Sequence, residues 1–167
     1  MALALDRTVI AGRYRLVHFL GEGDRKRTYL AEDTLLAGRE VALALVKSEA
    51  AGSDPHGTLR EVEAICRTGN HENIVTLYDQ GIAEGIEYIV FEYLSGGNLR
   101  DYLAERKARR EALSADEVRR LGRQLARGLS HVHGSGLLHR DIAPANIDGA
   151  RRKSPVVLGG ILHLVEF

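Results

Sequence analysis

Residues 139–146 read His139-Arg140-Asp141-Ile142-Ala143-Pro144-Ala145-Asn146. We interpret this stretch as a loop on which Asp141 and Asn146 stand five residues apart. A carboxylate and an amide on one loop can divide a reaction between them, because the carboxylate accepts a hydroxyl proton and the amide oxygen holds a metal ion. Asn146 also has a simpler interpretation as a residue that caps the loop.

The sequence before this loop predicts helices. Asn98 follows a Ser-Gly-Gly break and can cap a helix that runs to about Arg110. Ser114 and Glu117 have the spacing of a capping box at the start of a second helix. One apolar stripe then recurs at helical spacing, formed by Val118, Leu121, Leu125, Leu129 and Val132. Four arginines that lie mostly off this stripe predict a solvated face.

The first half of the chain predicts strands over residues 14–20, 28–32, 41–46, 74–78 and 88–93, with one helix over 58–67. Strands followed by helices indicate an α+β chain in two layers or lobes. Gly21-Glu22-Gly23 forms a turn between the first two strands. Glycines allow a backbone to approach phosphate closely, although a plain hairpin has the same pattern.

Composition excludes several classes of function. The 167 residues fit one ordinary domain, and 23 basic residues balance 23 acidic ones, so no net charge draws the chain to nucleic acid. A single cysteine fits a reducing compartment. The longest apolar stretch, residues 156–165, is too short to span a membrane. We therefore expect a cytoplasmic location.

The order of these parts resembles a protein kinase domain of the serine/threonine type, in a bacterial style, over residues 14–147. The matching pieces, in chain order, are the glycine turn, Val41-Ala42-Leu43, Arg60-Glu61, His71-Glu72-Asn73-Ile74-Val75, Phe91-Glu92-Tyr93-Leu94 followed by Gly-Gly-Asn-Leu, and the His139-Arg140-Asp141 loop with Asn146. Each motif is modest alone. Their order and spacing together are specific to the family.

The resemblance implies a bilobal α+β fold that binds ATP and Mg²⁺. Residues 1–13 would be an amino-terminal extension, and residues 14–91 a five-stranded antiparallel amino lobe with one helix. Residues 92–97 would form the hinge. Residues 98–167 would form a partial, mainly helical carboxy lobe. The implied partners are ATP and either a protein substrate or a protein that uses the chain as a scaffold, with no nucleic acid.

The resemblance also assigns nucleotide contacts, which are Leu20, Gly21, Gly23, Thr28, Ala42, Phe91, Glu92 and Leu94. The two glycines would cover the phosphates and Thr28 would lie over the nucleotide. Leu20 and Ala42 would line the adenine pocket, with Phe91 as gatekeeper. The carbonyl of the next residue and the amide of Leu94 would pair with adenine.

The catalytic roles implied by the resemblance fall on four residues. Asp141 would accept the proton of the substrate hydroxyl, and Asn146 would hold a metal ion. Glu61 would pair with the lysine that contacts phosphate. That lysine normally follows Val-Ala-Leu, where this chain has Ala44. Lys26 is the predicted replacement, as in kinases that carry this lysine on the glycine-rich loop.

Strand parity supports Lys26 over the nearby Lys47. Residues 42 and 44 share one face of the strand, and residue 47 lies on the opposite face. Lys26 has the parity of Thr28 and so points toward the nucleotide. The competing interpretation is a solvated lysine within the basic run Arg25-Lys26-Arg27.

The tail departs from the family. The Asp-Phe-Gly motif, whose Asp binds Mg²⁺, is absent, and no Asp follows Asp148. Gly160 stands about where the metal-binding Asp belongs, and Ala143 replaces a usual lysine. Two interpretations stay open, a truncated or frame-disrupted kinase with impaired or no activity, and a pseudokinase that binds nucleotide or acts as a scaffold. An apolar stripe left uncovered by missing helices predicts self-association.

Overall fold

We describe a computed structural model that covers residues 8–23, 25–47, 57–149, 157–158 and 165–166. For residues 57–61, 64, 157–158 and 165–166 the description is limited to the backbone. The chain divides into two compact units. The first comprises residues 1–55 and 77–93, and the second comprises residues 56–76 and 94–167.

The first unit is an antiparallel sheet of six strands in the order β1-β2-β3-β4-β6-β5. The strands are β1 (Val9–Ile10), β2 (Tyr14–Glu22), β3 (Lys26–Asp33), β4 (Arg39–Val46), β5 (Leu77–Ala83) and β6 (Ile86–Glu92). The predicted α+β class is confirmed. The sheet has a sixth strand, β1, which was not predicted. Its residues Val9 and Ile10 pair with β2.

Alternation along the strands builds the core of this unit. Successive side chains in a strand point to opposite faces, and one face carries a buried cluster formed by Tyr14, Leu16, Tyr29, Ala31, Val41, Leu43, Leu45, Tyr88 and Val90. The odd-numbered residues of β3 and β4 belong to this face. Arg13 closes its edge through a bidentate pair with the buried Asp33, at 2.7 and 2.9 Å. That pairing lowers the pKa of Asp33.

One predicted strand begins in a different place. Residues 74–78 were expected to form a strand, but Ile74 makes only a single bridge and β5 runs from Leu77 to Ala83. Ile74 and Val75 are nevertheless buried. Their apolar character therefore reflects packing of a loop, which a short apolar run cannot distinguish from a buried strand.

The described part of the second unit contains three α-helices, α1 (Gly57–Thr68), α2 (Leu99–Ala108) and α3 (Ala115–Gly134). The predicted capping box is confirmed, because Glu117 N donates to Ser114 Oγ at 3.2 Å and Ser114 N donates to Glu117 Oε2 at 2.8 Å. Asn98 caps α2 by accepting from the amide of Asp101 at 2.9 Å, as predicted.

The apolar stripe of α3 is more covered than the sequence predicted. Leu121 and Val132 are buried at 8% and 1% exposure. Leu121 forms a cluster with Ile147, and the partly buried side chains packed against it are Leu99, Tyr102, Leu113, Leu125 and Leu129. Val118 is exposed and lies outside the cluster. The prediction of an uncovered stripe is therefore wrong for its central residues, since α2 and the segment after Asn146 supply the missing contacts.

The described residues of the second unit also form four short strands, β7 (Leu137–Leu138), β8 (Ile147–Asp148), β9 (Val157–Leu158) and β10 (Val165–Glu166). β8 pairs antiparallel with β9, and β7 pairs antiparallel with β10. An antiparallel strand pair therefore begins directly after Asn146. Gly160 lies outside the described residues. None of the described helices combines the length and apolar composition needed to cross a membrane.

Candidate active site

The second face of the sheet in the first unit carries most of the predicted nucleotide contacts. In the β3–β4 pair, Lys26 lies opposite Val46 and Thr28 lies opposite Ala44. Because directly paired residues share a face, Lys26 shares the face of Ala44, where the family lysine is missing. The register therefore agrees with the parity predicted for Lys26.

The predicted adenine contacts continue along this face. Ala42 pairs directly with Phe91 across β4 and β6, so the predicted pocket residue and gatekeeper are neighbours. Leu20 lies where the β2–β3 register shifts by one residue and is 40% exposed. Glu92 ends β6 in the first unit, and Leu94 begins the second segment of the second unit.

We call residues 21–28 the glycine hairpin; they comprise the end of β2, the connection and the start of β3. Gly21 pairs with Thr28, and the amide of Gly23 donates to the carbonyl of Lys26 at 2.9 Å. A Cβ placed on either Gly21 or Gly23 would have no heavy atom within 4 Å. The two glycines therefore leave open space beside the backbone, as close approach of a phosphate requires.

Lys47 is committed to the glycine hairpin. Its Nζ lies 2.6 Å from Glu22 Oε1 and donates to the carbonyl oxygen of Gly23 at 2.7 Å. Arg27 Nε lies 3.2 Å from the other oxygen of Glu22. Hydrogen bonds from Lys47 and then from Arg27 lower the pKa of Glu22. No role was predicted for Lys47, because no local pattern in the sequence indicates that its side chain meets Glu22, 25 residues away.

Glu61 lies within α1. Its side chain falls outside the described residues, so its predicted pairing with Lys26 stays a prediction. The following turn of the helix is described, and Val62 and Ile65 are buried at 2% and 4% exposure.

In the second unit, the loop of residues 139–146 brings Asp141 and Asn146 together. Nδ2 of Asn146 donates to Asp141 Oδ2 at 2.8 Å and to the carbonyl oxygen of Asp141 at 3.0 Å. A 3₁₀ turn over Pro144–Asn146 makes this contact across five residues. Since the amide nitrogen is committed to Asp141, the amide oxygen is left as an acceptor, which fits a hard cation such as Mg²⁺.

The backbone before Asp141 is anchored at a buried side chain. His139 is 1% exposed, and its carbonyl oxygen accepts from the amide of Asp141 at 2.7 Å. Arg140, between them, has a φ of 56°, a left-handed conformation that side chains rarely adopt. Such conformations persist only where the surroundings fix them. The loop is therefore held in one shape around Asp141.

Asp148 introduces a second carboxyl close to this loop. It lies in β8, forms a bridge with Asn98, and is partly buried. Burial raises its pKa to about 6. The carboxyl is visible in the sequence, but its partial burial is not.

Comparisons with known proteins agree with this arrangement. The family model described as "Protein kinase domain" matches residues 14–151. The serine/threonine-protein kinase PrkC of Bacillus subtilis (strain 168) is 34% identical over 139 residues, which are 83% of this chain and 21% of that protein. The probable serine/threonine-protein kinase PknB of Bifidobacterium longum is 32% identical over 158 residues, 88% of this chain and 22% of that protein.

A third relative extends the similarity toward the tail. The serine/threonine-protein kinase PksC of Streptomyces coelicolor is 31% identical over 167 aligned residues, which cover 96% of this chain and 28% of that protein. The chain thus spans 21% to 28% of the length of these relatives. The matched region includes the glycine hairpin, strands β2 to β6 and the loop of residues 139–146. The chain therefore belongs to the protein kinase domain family.

Proposed function

We propose that the chain binds ATP with Mg²⁺ and is built for phosphoryl transfer to serine or threonine hydroxyls of a protein. The observation that carries the proposal is the contact of Asn146 with Asp141 at 2.8 Å. It orients a carboxylate and an amide on one rigid loop, which is the pair that this reaction uses. The similarity to bacterial serine/threonine kinases supports the same reaction.

In this proposal the two units have separate tasks. The glycine hairpin receives the phosphates beside its open backbone, and the face that carries Ala42 and Phe91 receives adenine. Asp141 accepts the proton of the attacking hydroxyl. Asn146 would hold Mg²⁺ through its amide oxygen, and the ion would supply positive charge close to the phosphates.

Lys26 is proposed as the lysine that contacts phosphate. Its place opposite Val46, on the face of Ala44, supports this role, and the commitment of Lys47 to Glu22 removes the nearest competitor. Replacing Lys26 by Ala should lower ATP affinity roughly tenfold or more, because a charge-assisted contact is lost. Adding Ala44→Lys should recover part of the affinity in a variant whose melting temperature shows that it folds. Unchanged ATP affinity in Lys26→Ala would refute the role.

We further propose that transfer by this chain is weak. Gly160 stands about where the metal-binding Asp belongs, and Ala143 removes a cation that would meet the transferred phosphate. The alternative is a pseudokinase that binds nucleotide or serves as a scaffold. A cytoplasmic location is part of the proposal, since ATP and protein hydroxyls are its substrates.

Two measurements separate these functions. Transfer of labelled phosphate from ATP to a generic protein substrate should be slow but measurable, and Asp141→Asn should abolish it. ATP should raise the melting temperature more with Mg²⁺ than without it. Stabilisation by ATP without any transfer would indicate the pseudokinase. Absence of both would refute nucleotide binding.

A further inference from the structure

Lys47 makes three contacts with the glycine hairpin. Its ammonium binds the Glu22 carboxylate at 2.6 Å and the Gly23 carbonyl at 2.7 Å, and its backbone amide donates to the Arg25 carbonyl at 2.9 Å. Its side chain is 25% exposed, less than those of Glu22 and Arg27 at 39% and 45%. These bonds tie the end of β4 to both sides of the hairpin.

The backbone of the hairpin needs contacts such as these to restrict its conformation. Gly21 and Gly23 have open space where a Cβ would be, so packing does not hold their backbone. Glycine also gives the chain more conformational freedom than any other residue. Charge-assisted hydrogen bonds are among the stronger contacts that can restrict such a segment.

The contacts of Lys47 lie on the face of the sheet opposite to Lys26, the proposed phosphate contact. Glu22 pairs with Arg27 in the β2–β3 register, and Lys26 lies one residue away on the opposite face. The ammonium of Lys47 therefore meets Glu22 on the side away from Ala44. Lys47 therefore contacts the hairpin on one face of the sheet, and Lys26 lies on the opposite face, which carries Ala44.

We infer that Lys47 is a positioning residue that holds the glycine hairpin in the conformation that receives nucleotide phosphates, without touching the nucleotide itself. This inference rests on the proposed function for its link to phosphate. The hold on the hairpin does not depend on ATP and can be measured separately.

The test uses two double variants that leave the net charge unchanged. Glu22→Gln with Lys47→Met removes the ion pair at the hairpin. Arg15→Met with Glu32→Gln removes an ion pair between β2 and β3, away from the hairpin. Hydrogen exchange of residues 21–28 is followed in the protein without nucleotide, and affinities for ATP and adenosine are measured by calorimetry.

We expect the hairpin variant to exchange roughly tenfold faster over residues 21–28 and to bind ATP roughly tenfold more weakly, with adenosine affinity changed less than about twofold. The matched control should change neither property by more than about twofold. Lys47→Arg should retain most of the ATP affinity that Lys47→Met loses, because a guanidinium can still donate to Glu22 and to a carbonyl.

Three results would overturn the inference. Unchanged exchange in the hairpin variant would show that Lys47 does not hold the hairpin. Weaker ATP binding with unchanged exchange would show that Lys47 touches phosphate directly. Faster exchange with unchanged ATP affinity would break the link to nucleotide. If the unmodified chain does not bind ATP, the proposed function fails and takes the nucleotide link with it, while hydrogen exchange still decides whether Lys47 holds the hairpin.

Discussion

The side-chain amide of Asn146 donates to the carboxylate of Asp141 across 2.8 Å and to its backbone carbonyl across 3.0 Å. One residue thus fixes both the side chain and the backbone of the proposed proton acceptor. The same bonds fix which atom of the amide is left to face a cation. The side chain of Asn146 therefore fixes both the conformation of Asp141 and the amide atom that is available to a cation.

Replacing Asn146 by Ala should reduce both stability and the response to Mg²⁺. The loss of two hydrogen bonds should lower the free energy of unfolding by about 1–2 kcal/mol. The ratio of ATP affinities with and without Mg²⁺ should fall toward one, because a cation ligand is removed. Denaturant unfolding and calorimetry measure the two effects. Asn70→Ala, at an exposed position, should change neither, and an unchanged Mg²⁺ response in Asn146→Ala would contradict its role as a ligand.

Asp148 should make stability fall as the pH rises from about 4 to 6. Burial raises its pKa from 3.8 to about 6, so the folded state favours the protonated carboxyl. The contribution is fully present below pH 3.8 and is lost as the pH rises through about 6. Asp148→Asn should therefore raise the free energy of unfolding at pH 7 by up to about 3 kcal/mol, with no gain at pH 4.

Denaturant unfolding of Asp148→Asn and of the unmodified protein at pH 4, 5, 6 and 7 measures this difference. Glu63→Gln changes an exposed carboxyl and should give the same small difference at every pH. A constant difference between Asp148→Asn and the unmodified protein from pH 4 to 7 would show that Asp148 is not desolvated.

Removing the N-cap of α3 should destabilise the second unit. Ser114→Ala removes an acceptor for the amide of Glu117 and should cost about 1 kcal/mol in the free energy of unfolding. Ser130→Ala, at an exposed position inside the same helix, should be neutral or slightly stabilising because Ala favours helix. Thermal unfolding compares the two. Equal effects of the two substitutions would indicate that the cap contributes nothing.

Two glycines should respond to Ala with opposite signs. A Cβ on Gly81 would lie 2.7 Å from the hydroxyl oxygen of the buried Tyr88, so Gly81→Ala should destabilise by about 1–3 kcal/mol. Gly122 lies inside α3 with no atom within 4 Å of its Cβ position. Gly122→Ala should stabilise by about 1 kcal/mol because Ala favours helix more than Gly does. Denaturant unfolding of both variants checks the signs, and a shift of the same sign in both would contradict the packing around Tyr88.

Local sequence signals predicted the parts of the fold that depend on neighbours in the chain. The capping box of Ser114 and Glu117 and the cap at Asn98 needed only three-residue spacings, and both are present. The face shared by Lys26 and Ala44 followed from strand parity, and the register agrees.

Features that depend on distant residues were missed. The burial of Leu121 requires Ile147 and α2 to pack against α3, and no local pattern states which segments meet. The bond from Lys47 to Glu22 joins residues 25 positions apart along the chain. Ile74 and Val75 are buried in a loop, where apolar character alone suggests a strand.

The register of β2 shifts twice, between Leu16 and His18 and again between Phe19 and Gly21. Each shift adds one residue and exchanges the faces that later side chains occupy, so the second shift undoes the first. Deletion of one residue at either position should invert the tip of the hairpin and turn Glu22 away from Lys47. Deletion of one residue at each should leave the tip in phase, so the strand tolerates length changes only in compensating pairs.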